Sequence, residues 1–222
     1  MSNFKDFRNY AVKHRSLNST VFDNYHKTQN LTHNIIDNSV DGIVVDVFSK
    51  LIEHRIIFLS TEMDSDVCNI IKAQLLYLEQ LDPEKDISIY IDSPGGSVYS
   101  GLGLLDTMEY INNDIVTINT GLAASMAAIV LCSGTKGKRK ALKRSRTMIH
   151  QPLGYTGFAQ ASDIEIDAKE INSLKKELYE IISERTGQKY DQVYKDGDRD
   201  YWMSADDAKK YGMIDQIVKS RK

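Results

Sequence analysis

The segment Ile87-Ser-Ile-Tyr-Ile-Asp-Ser-Pro-Gly-Gly-Ser97 decides the fold class of this sequence. Its first five residues are typical of a buried strand, its two glycines allow a tight turn, and apolar residues then recur at helical spacing through residues 98–108. Strand patterns also occupy residues 55–59 and 115–119, and a helical pattern lies at 67–78. This alternation predicts an α/β fold of repeated βα units with a parallel sheet.

The composition is that of an ordinary folded domain. The 222 residues are 41% hydrophobic and 27% charged, and only 3 are proline, which excludes a disordered chain. With 28 basic against 31 acidic side chains the formal net charge is −3, so no general attraction to nucleic acid or to an anionic membrane is expected. No apolar run approaches the roughly 18 residues that span a bilayer. We therefore expect a cytoplasmic protein that binds neither nucleic acid nor a membrane.

The two cysteines carry no sign of a metal site. Cys68 and Cys132 lie far apart in the chain and neither belongs to a CxxC pair. This spacing argues against zinc and favours a reducing compartment. We expect both to be small core residues.

The first part of the chain differs from the rest. Residues 1–42 contain seven asparagines and three of the five histidines, without a sustained apolar period. We predict a flexible extension over residues 1–44 and a folded domain over residues 45–222. An import peptide is a weaker interpretation, because Asp6, Asp23 and Asp37 interrupt a segment that should be poor in acids.

Two strand-to-helix junctions carry residues capable of chemistry. The Gly95-Gly96 turn leaves backbone N–H groups that can bind an oxyanion, although such turns are often only structural, and no lysine follows to make a phosphate loop. The second junction places Ser125 among alanines at a helix start. A serine there usually caps or packs a helix, but the helix N-terminus would favour negative charge beside it, and the Met126 N–H is available to an oxyanion.

His150 is the histidine best placed to serve as a base for Ser125. It lies in the central apolar run 147–153, whereas His54 borders the first strand and the other three lie in the extension. A buried histidine bonded only to backbone is the simpler alternative. The acid that would orient the imidazole is not determined by periodicity. The candidates, each equally explained by a solvated acidic loop, are Asp191, Asp196, Asp198 and Asp200.

The second half of the sequence contains a basic run and two helices with clear end signals. Residues 136–146 hold seven cations, enough to suggest phosphate contacts, but no aromatic residues interleave with them to stack bases. We interpret the run as a solvated hairpin or loop rim. A helix of about 25 residues begins at a Ser162–Glu165 capping box and ends at Gly187, long enough for part of it to project or to serve an interface. Ser204 caps a short helix that ends at Gly212, and residues 213–218 form an edge strand.

Several long segments, in this order, resemble the proteolytic-subunit family (ClpP) of the ATP-dependent Clp protease from about residue 45 onward. They are Asp92-Ser-Pro-Gly-Gly96, Ala123-Ala-Ser-Met-Ala127, Lys136-Gly-Lys-Arg139, Met148-Ile-His-Gln-Pro-Leu-Gly154, Ser162-Asp-Ile-Glu-Ile166 and Asp198-Arg-Asp-Tyr-Trp-Met-Ser204. The resemblance implies a ClpP/crotonase-like fold with a projecting helix-strand handle that forms rings. It also implies a serine endopeptidase that degrades unfolded polypeptides to short peptides inside a double-ring chamber.

The resemblance also implies roles for individual residues. Ser125 would be the nucleophile, His150 the general base and Asp200 the acid that orients it, while the backbone N–H groups of Gly96 and Met126 would form the oxyanion hole. The run after His150 and the helix from Ser162 match the handle that joins two seven-membered rings, and Arg199 matches a charged position linked to ring–ring contacts. A separate AAA+ unfoldase would supply substrates and use the ATP, and no cofactor or metal is expected in this chain.

Two departures and two alternatives accompany this resemblance. Between Pro152 and Asp163 the sequence is one residue longer than the usual pattern, which affects the expected register of the handle strand. The extension is also longer than usual, and self-cleavage of a propeptide before Val45 would leave the following residues as axial loops. The alternatives are a ring subunit that has lost catalysis and a crotonase-like acyl-CoA enzyme, which would share the βα repeats and the Gly-Gly turn but need neither Ser125 nor His150.

Overall fold

The computed structural model describes residues 10, 19, 34–37, 43–154 and 160–219. Nine strands are formed over these ranges: β1 Asn34–Asp37, β2 Ile43–Asp46, β3 Ile56–Leu59, β4 Ile87–Ser93, β5 Ile115–Ala124, β6 Arg139–Leu142, β7 Arg146–Ile149, β8 Tyr201–Ser204 and β9 Gln216–Val218. The helices in the same ranges are α1 Val47–Glu53, α2 Ser65–Leu81, α3 Val98–Tyr110, α4 Met126–Cys132, α5 Ala161–Thr186, α6 Tyr190–Asp196 and α7 Ala205–Tyr211.

Seven of the strands form one mostly parallel sheet, as predicted. Its main path runs β3-β4-β5-β6-β9, with every neighbour parallel. The ten-residue strand β5 is long enough to pair with two strands in succession, β6 along its first half and β7 beyond it. β8 then adds antiparallel to β7. Because β5 extends beyond β6, β7 pairs with the C-terminal end of β5, and β8 follows as the next strand.

The core is built from the apolar periods that the sequence shows. Alternate residues of β4 are buried, and α2 buries one stripe against the sheet. Cys68 and Cys132 are both buried and unpaired, as expected. Burial raises the pKa of the Cys68 thiol to about 11 and that of the Cys132 thiol to about 12, so both remain protonated and behave as small apolar side chains.

The helix ends predicted at Gly187, Ser204 and Gly212 are confirmed, and the one predicted at Ser162 is wrong. α2 ends at Leu81, directly before Asp82-Pro83, and Gly187 closes α5 in the left-handed conformation with φ of 77°. Ser204 caps α7 in a reciprocal capping box with Asp207. The Ser162 capping box is wrong, because α5 already begins at Ala161, and its cap residue makes no side-chain bond there.

The first ten residues of α5 are exposed, whereas Leu178, Tyr179 and Ile182 near its other end are buried. The helix is anchored by its C-terminal half, and its N-terminal half projects from the core as predicted. The run after His150 that was matched to the handle includes residues 155–159, which lie outside the described residues, so the expected register there remains a prediction. No helix in the described ranges is long and apolar enough to cross a bilayer.

The interpretation of the basic run as a solvated hairpin or loop rim is wrong for residues 139–142. Residues 139–142 form β6, a strand with parallel neighbours on both sides. Arg139 at its start is 5% exposed and pairs with Asp215 at 2.6 Å. One of the seven charges in the run is therefore neutralised inside the fold, by a carboxylate from 76 residues later.

The N-terminal extension lies mostly outside the described residues. Within it, β1 pairs antiparallel with β2, and the boundary predicted between residues 44 and 45 falls inside β2. The extension therefore contains at least one element of regular structure. Its predicted role as a propeptide and axial loop remains a prediction.

Candidate active site

Three neighbouring strands place Ser125, His150 and Asp200 at one edge of the sheet. Ser125 follows the last residue of β5, His150 follows β7, and Asp200 precedes β8. The parallel pair sets Ala124 opposite Met148, and the antiparallel pair sets Ile149 opposite Tyr201. His150 therefore occupies the next position along β7, between the end of one neighbouring strand and the start of the other.

The three side chains form a continuous chain of contacts, called the candidate triad below. His150 Nε2 lies 2.8 Å from Ser125 Oγ, and His150 Nδ1 lies 3.3 Å from Asp200 Oδ1. The His150 side chain is 15% exposed, whereas that of Asp200 is 60% exposed. An imidazole with a hydroxyl at one nitrogen and a carboxylate near the other can take a proton from the hydroxyl while the carboxylate favours one tautomer and orientation.

The structure separates the four candidate carboxylates. Asp200 is the one whose side chain contacts His150. Asp196 accepts hydrogen bonds from Gln192 and Tyr211, and Asp191 lies in the first turn of α6. The main-chain carbonyl of Asp198 accepts a hydrogen bond from the side chain of Gln151, the residue after His150. Its sequence position alone could not distinguish Asp200 from these three.

Ser125 sits in a strained turn between β5 and α4. Its φ is 55° and its ψ is −127°, a conformation that residues with a Cβ rarely adopt. Its N–H donates to the Met148 carbonyl at 2.9 Å, which holds the turn against β7. Its side chain makes no capping bond to α4, so the interpretation of Ser125 as a helix cap fails. The hydroxyl is instead directed to His150.

The Gly95-Gly96 turn approaches this serine closely. Gly95 has a φ of 90°, and a Cβ built on it would lie 2.5 Å from the Ala124 carbonyl oxygen and 2.8 Å from the Met126 nitrogen. Gly96 has a φ of 152°, and a Cβ there would meet the backbone of Met63 at 2.4 Å. Both positions therefore require glycine, for conformation and for space.

The turn is fixed by Met63, which sequence reasoning missed. Met63 donates to the Gly95 carbonyl and accepts from the Ser97 N–H, at 2.8 and 2.7 Å. The N–H of Gly96 between them, and the N–H of Met126 at the start of α4, donate to no acceptor within the described ranges. Two adjacent backbone donors beside a nucleophile and base are the arrangement that stabilises an oxyanion.

A cleft of about 510 Å³ opens over Ser125 and His150. It is lined by Glu62, Pro94, Gly95, Gly96, Ser97, Val98, Ser125, Met148, His150, Pro152 and Leu153. Its lining includes the Gly-Gly turn, Ser125 and the segment after His150.

No cluster of histidine, cysteine, aspartate or glutamate side chains capable of holding a metal ion occurs among the described residues.

A family model described as Clp protease matches residues 39–221. The chain belongs to the Clp protease family. A Bacteroides fragilis ATP-dependent Clp protease proteolytic subunit is 54% identical over 216 residues, covering 96% of this chain and 98% of that protein. The Porphyromonas gingivalis protein of the same name is 54% identical over 221 residues, covering 98% and 99%. The proteolytic subunit 2 of Parasynechococcus marenigrum is 54% identical over 176 residues, covering 79% and 89%.

These similarities confirm the predicted family, the α/β fold and the peptidase class. The relatives reported above are all named as proteolytic subunits, and none is named as an acyl-CoA enzyme. The alternative of a crotonase-like acyl-CoA enzyme therefore has no support among them. The family match begins at residue 39, a few residues before the predicted domain start, so it includes β2. The candidate triad and the Gly-Gly turn all lie within the matched range.

Proposed function

We propose that this chain is a serine endopeptidase subunit in which Ser125 is the nucleophile, His150 the general base and Asp200 the orienting acid. The observation that carries the proposal is the 2.8 Å contact between Ser125 Oγ and His150 Nε2, at a turn with two unpaired backbone donors. A serine that merely capped α4 would not need its strained backbone, nor a histidine at that distance.

The proposed reaction begins when the Ser125 oxygen attacks the carbonyl carbon of a bound peptide. His150 Nε2 accepts the hydroxyl proton as the new C–O bond forms. The carbonyl oxygen becomes negative and is bound by the N–H groups of Gly96 and Met126, which are already oriented before the reaction starts. No metal or organic cofactor is required for this step.

The proton on His150 then moves to the leaving amine, and the C–N bond breaks to give an acyl-enzyme. Water enters, gives a proton to His150 and attacks the ester carbon, so that the same two N–H groups bind the second oxyanion. Collapse of this intermediate returns the proton to Ser125 Oγ and releases the acid product. Throughout, Asp200 stabilises the charged imidazole and holds its Nδ1 proton away from the serine.

We further propose the assembly and partners that the family resemblance implies. The relatives are named as ATP-dependent, whereas these 222 residues contain no Walker sequence. A separate AAA+ unfoldase of the Clp type would therefore use the ATP and deliver unfolded polypeptides, in the cytoplasm. Two stacked seven-membered rings of this chain would enclose the candidate triads, with the projecting half of α5 at the junction of the rings.

The test is labelling of the full-length protein with a fluorophosphonate, followed by peptide mapping. Only a serine activated by a base reacts at a useful rate, so we expect one adduct on Ser125 and none on Ser125→Ala. The same samples are assayed on a short fluorogenic peptide, which only the wild-type protein should cleave. Gel filtration and melting of Ser125→Ala should match the wild type.

The catalytically silent ring subunit is the competing interpretation. It predicts a protein that assembles normally but takes up no label and cleaves no peptide. Absence of the adduct from an assembled, folded wild-type sample would therefore overturn the proposed activity.

A further inference from the structure

Asp200 is held less directly than its proposed partners. It lies 3.3 Å from His150, longer than a strong charged hydrogen bond, and 60% of its side chain is exposed. It belongs neither to β8 nor to α6 but to the short connection, residues 197–200, between them. The position of this carboxylate therefore depends on what fixes the backbone of that connection.

Two side chains hold the connection by its carbonyl groups. The hydroxyl of the buried Tyr179, in α5, donates to the Gly197 carbonyl at 2.5 Å. Gln151 Nε2 donates to the Asp198 carbonyl at 2.7 Å. A Cβ on Gly197 would lie 2.7 Å from the Tyr179 hydroxyl, so the connection is packed tightly against α5 at this point. Consecutive carbonyls before Asp200 are thus tied to two different parts of the fold.

Gln151 is the residue directly after His150, so its bond to Asp198 joins the segment of the base to that of the acid. Its orientation is determined by Lys175 in α5, whose Nζ donates to Gln151 Oε1 at 3.1 Å. A lysine can only donate, so the amide must turn its oxygen to Lys175 and its nitrogen to the Asp198 carbonyl. Lys175 is itself seated over the Tyr194 ring, 4.4 Å from its centroid.

We propose that Gln151 is a positioning residue that sets the place of Asp200 beside His150. It acts through the Nε2 bond to the Asp198 carbonyl, with Lys175 fixing the direction of the amide. This inference rests on the proposed peptidase function. Without that bond the 197–200 connection would lose one of its two anchors, and the 3.3 Å contact, already long and open to water, would be the first to weaken.

The experiment compares Gln151→Met and Gln151→Glu in the full-length protein. Methionine has similar length and removes both bonds, whereas glutamate keeps an acceptor for Lys175 but cannot donate to the Asp198 carbonyl. We expect both variants to lower kcat on a short fluorogenic peptide roughly 10-fold, with KM within twofold of the wild type. Gln192→Met is the matched control, because the exposed Gln192 amide bonds only to Asp196 within α6. It should leave kcat unchanged.

A double-mutant cycle separates positioning from general loss of structure. In an Asp200→Ala background, replacement of Gln151 by methionine should change the fluorophosphonate labelling rate by less than twofold, because its effect passes through the missing carboxylate. An equal fall with and without Asp200 would overturn the proposal. So would wild-type kcat in Gln151→Glu.

Two further measurements make the result unambiguous. If Gln151→Met melts well below the wild type, Gln151→Glu and Lys175→Met replace it in the comparison with the wild type. Lys175→Met should lower kcat less than the Gln151 variants do, at unchanged KM. Wild-type protein that neither labels nor cleaves peptide would refute the proposed function itself. Wild-type activity combined with unaffected Gln151 variants would refute only the positioning role.

Discussion

Gly95 lies directly against Ser125, so that a Cβ built on Gly95 would stand 2.8 Å from the Ser125 Cβ, closer than real side chains approach. We predict that Gly95→Ala destabilises the protein by at least about 2 kcal/mol, because it adds this clash to a left-handed backbone with φ of 90°. The turn that holds the Gly96 N–H must also shift. Both the free energy of unfolding, measured with denaturant, and the rate of fluorophosphonate labelling should be lower than in the wild type.

Gly187→Ala is the control for Gly95→Ala. Gly187 also has a positive φ, 77°, but a Cβ there meets nothing within 4 Å among the described residues. It should cost about 1 kcal/mol from backbone strain alone and leave the labelling rate unchanged. Equal losses at both glycines would show that the close approach of Gly95 to Ser125 has no energetic effect.

The backbone strain at Ser125 predicts an unusual ranking of two inactive variants. Ser125→Ala keeps a Cβ in the strained conformation, whereas Ser125→Gly relieves about 1–3 kcal/mol and loses about 0.5–1 kcal/mol to chain entropy. We therefore expect the glycine variant to be about 1 kcal/mol more stable than the alanine variant by denaturant unfolding. Ala168→Gly, at an exposed helical position in α5, should show the opposite sign.

The role of Asp200 can be tested against another of the four candidate carboxylates. We predict that Asp200→Asn lowers kcat by roughly 10² to 10⁴, because the amide cannot stabilise the charged imidazole or hold its tautomer. KM should change little. Asp191→Asn, in the first turn of α6, should stay within twofold of the wild type in the same peptide assay. Similar kcat values for the two variants would mean that His150 works without its carboxylate.

The parts of the fold that depend on local pattern could be predicted from the sequence. The strands and helices of the βα units have regular apolar periods, and Gly187 and Ser204 end or begin helices by their own chemistry. β6 could not be predicted, because the charge at its first residue is neutralised by a residue distant in sequence. Asp215 binds Arg139, and Asp86 and Asp114 bind Lys138 just before the strand, so a local count of cations mistakes a sheet strand for a loop.

The residues of the candidate site likewise fall into those that local sequence patterns indicate and those that only the folded structure brings together. Ser125 and His150 stand out locally, one among small residues at a helix start and the other in an apolar run. Asp200 depends on the antiparallel register of β7 and β8, which no local signal reveals, so it followed only from the family resemblance. Gln151 was missed entirely, since a single half-buried glutamine has no distinctive pattern until its partners from α5 and the 197–200 connection are known.

Arg139 joins three parts of the fold around β6. Its guanidinium donates to both carboxylate oxygens of Asp215, and its Nη1 donates to the carbonyls of Cys132 and Arg185, at the ends of α4 and α5. Partial burial alone would raise the pKa of Asp215. Hydrogen bonds from the side chain and backbone of Arg139 outweigh this, so that the pKa lies below its ordinary value.

We predict that Asp215→Asn lowers the free energy of unfolding by about 3 kcal/mol at neutral pH, because it leaves a buried guanidinium without its counter-charge. A lowered carboxyl pKa stabilises the fold above the ordinary value of about 3.9, and this stabilisation is lost as the pH falls through the lowered value. The gap between wild type and variant should therefore be constant from pH 7 to about pH 5 and shrink in more acidic solution, as measured by urea unfolding. Asp114→Asn is the control, because Lys138, whose side chain is 35% exposed, keeps Asp86 as its partner and the stability should change little. A gap that widened on acidification would contradict the assignment.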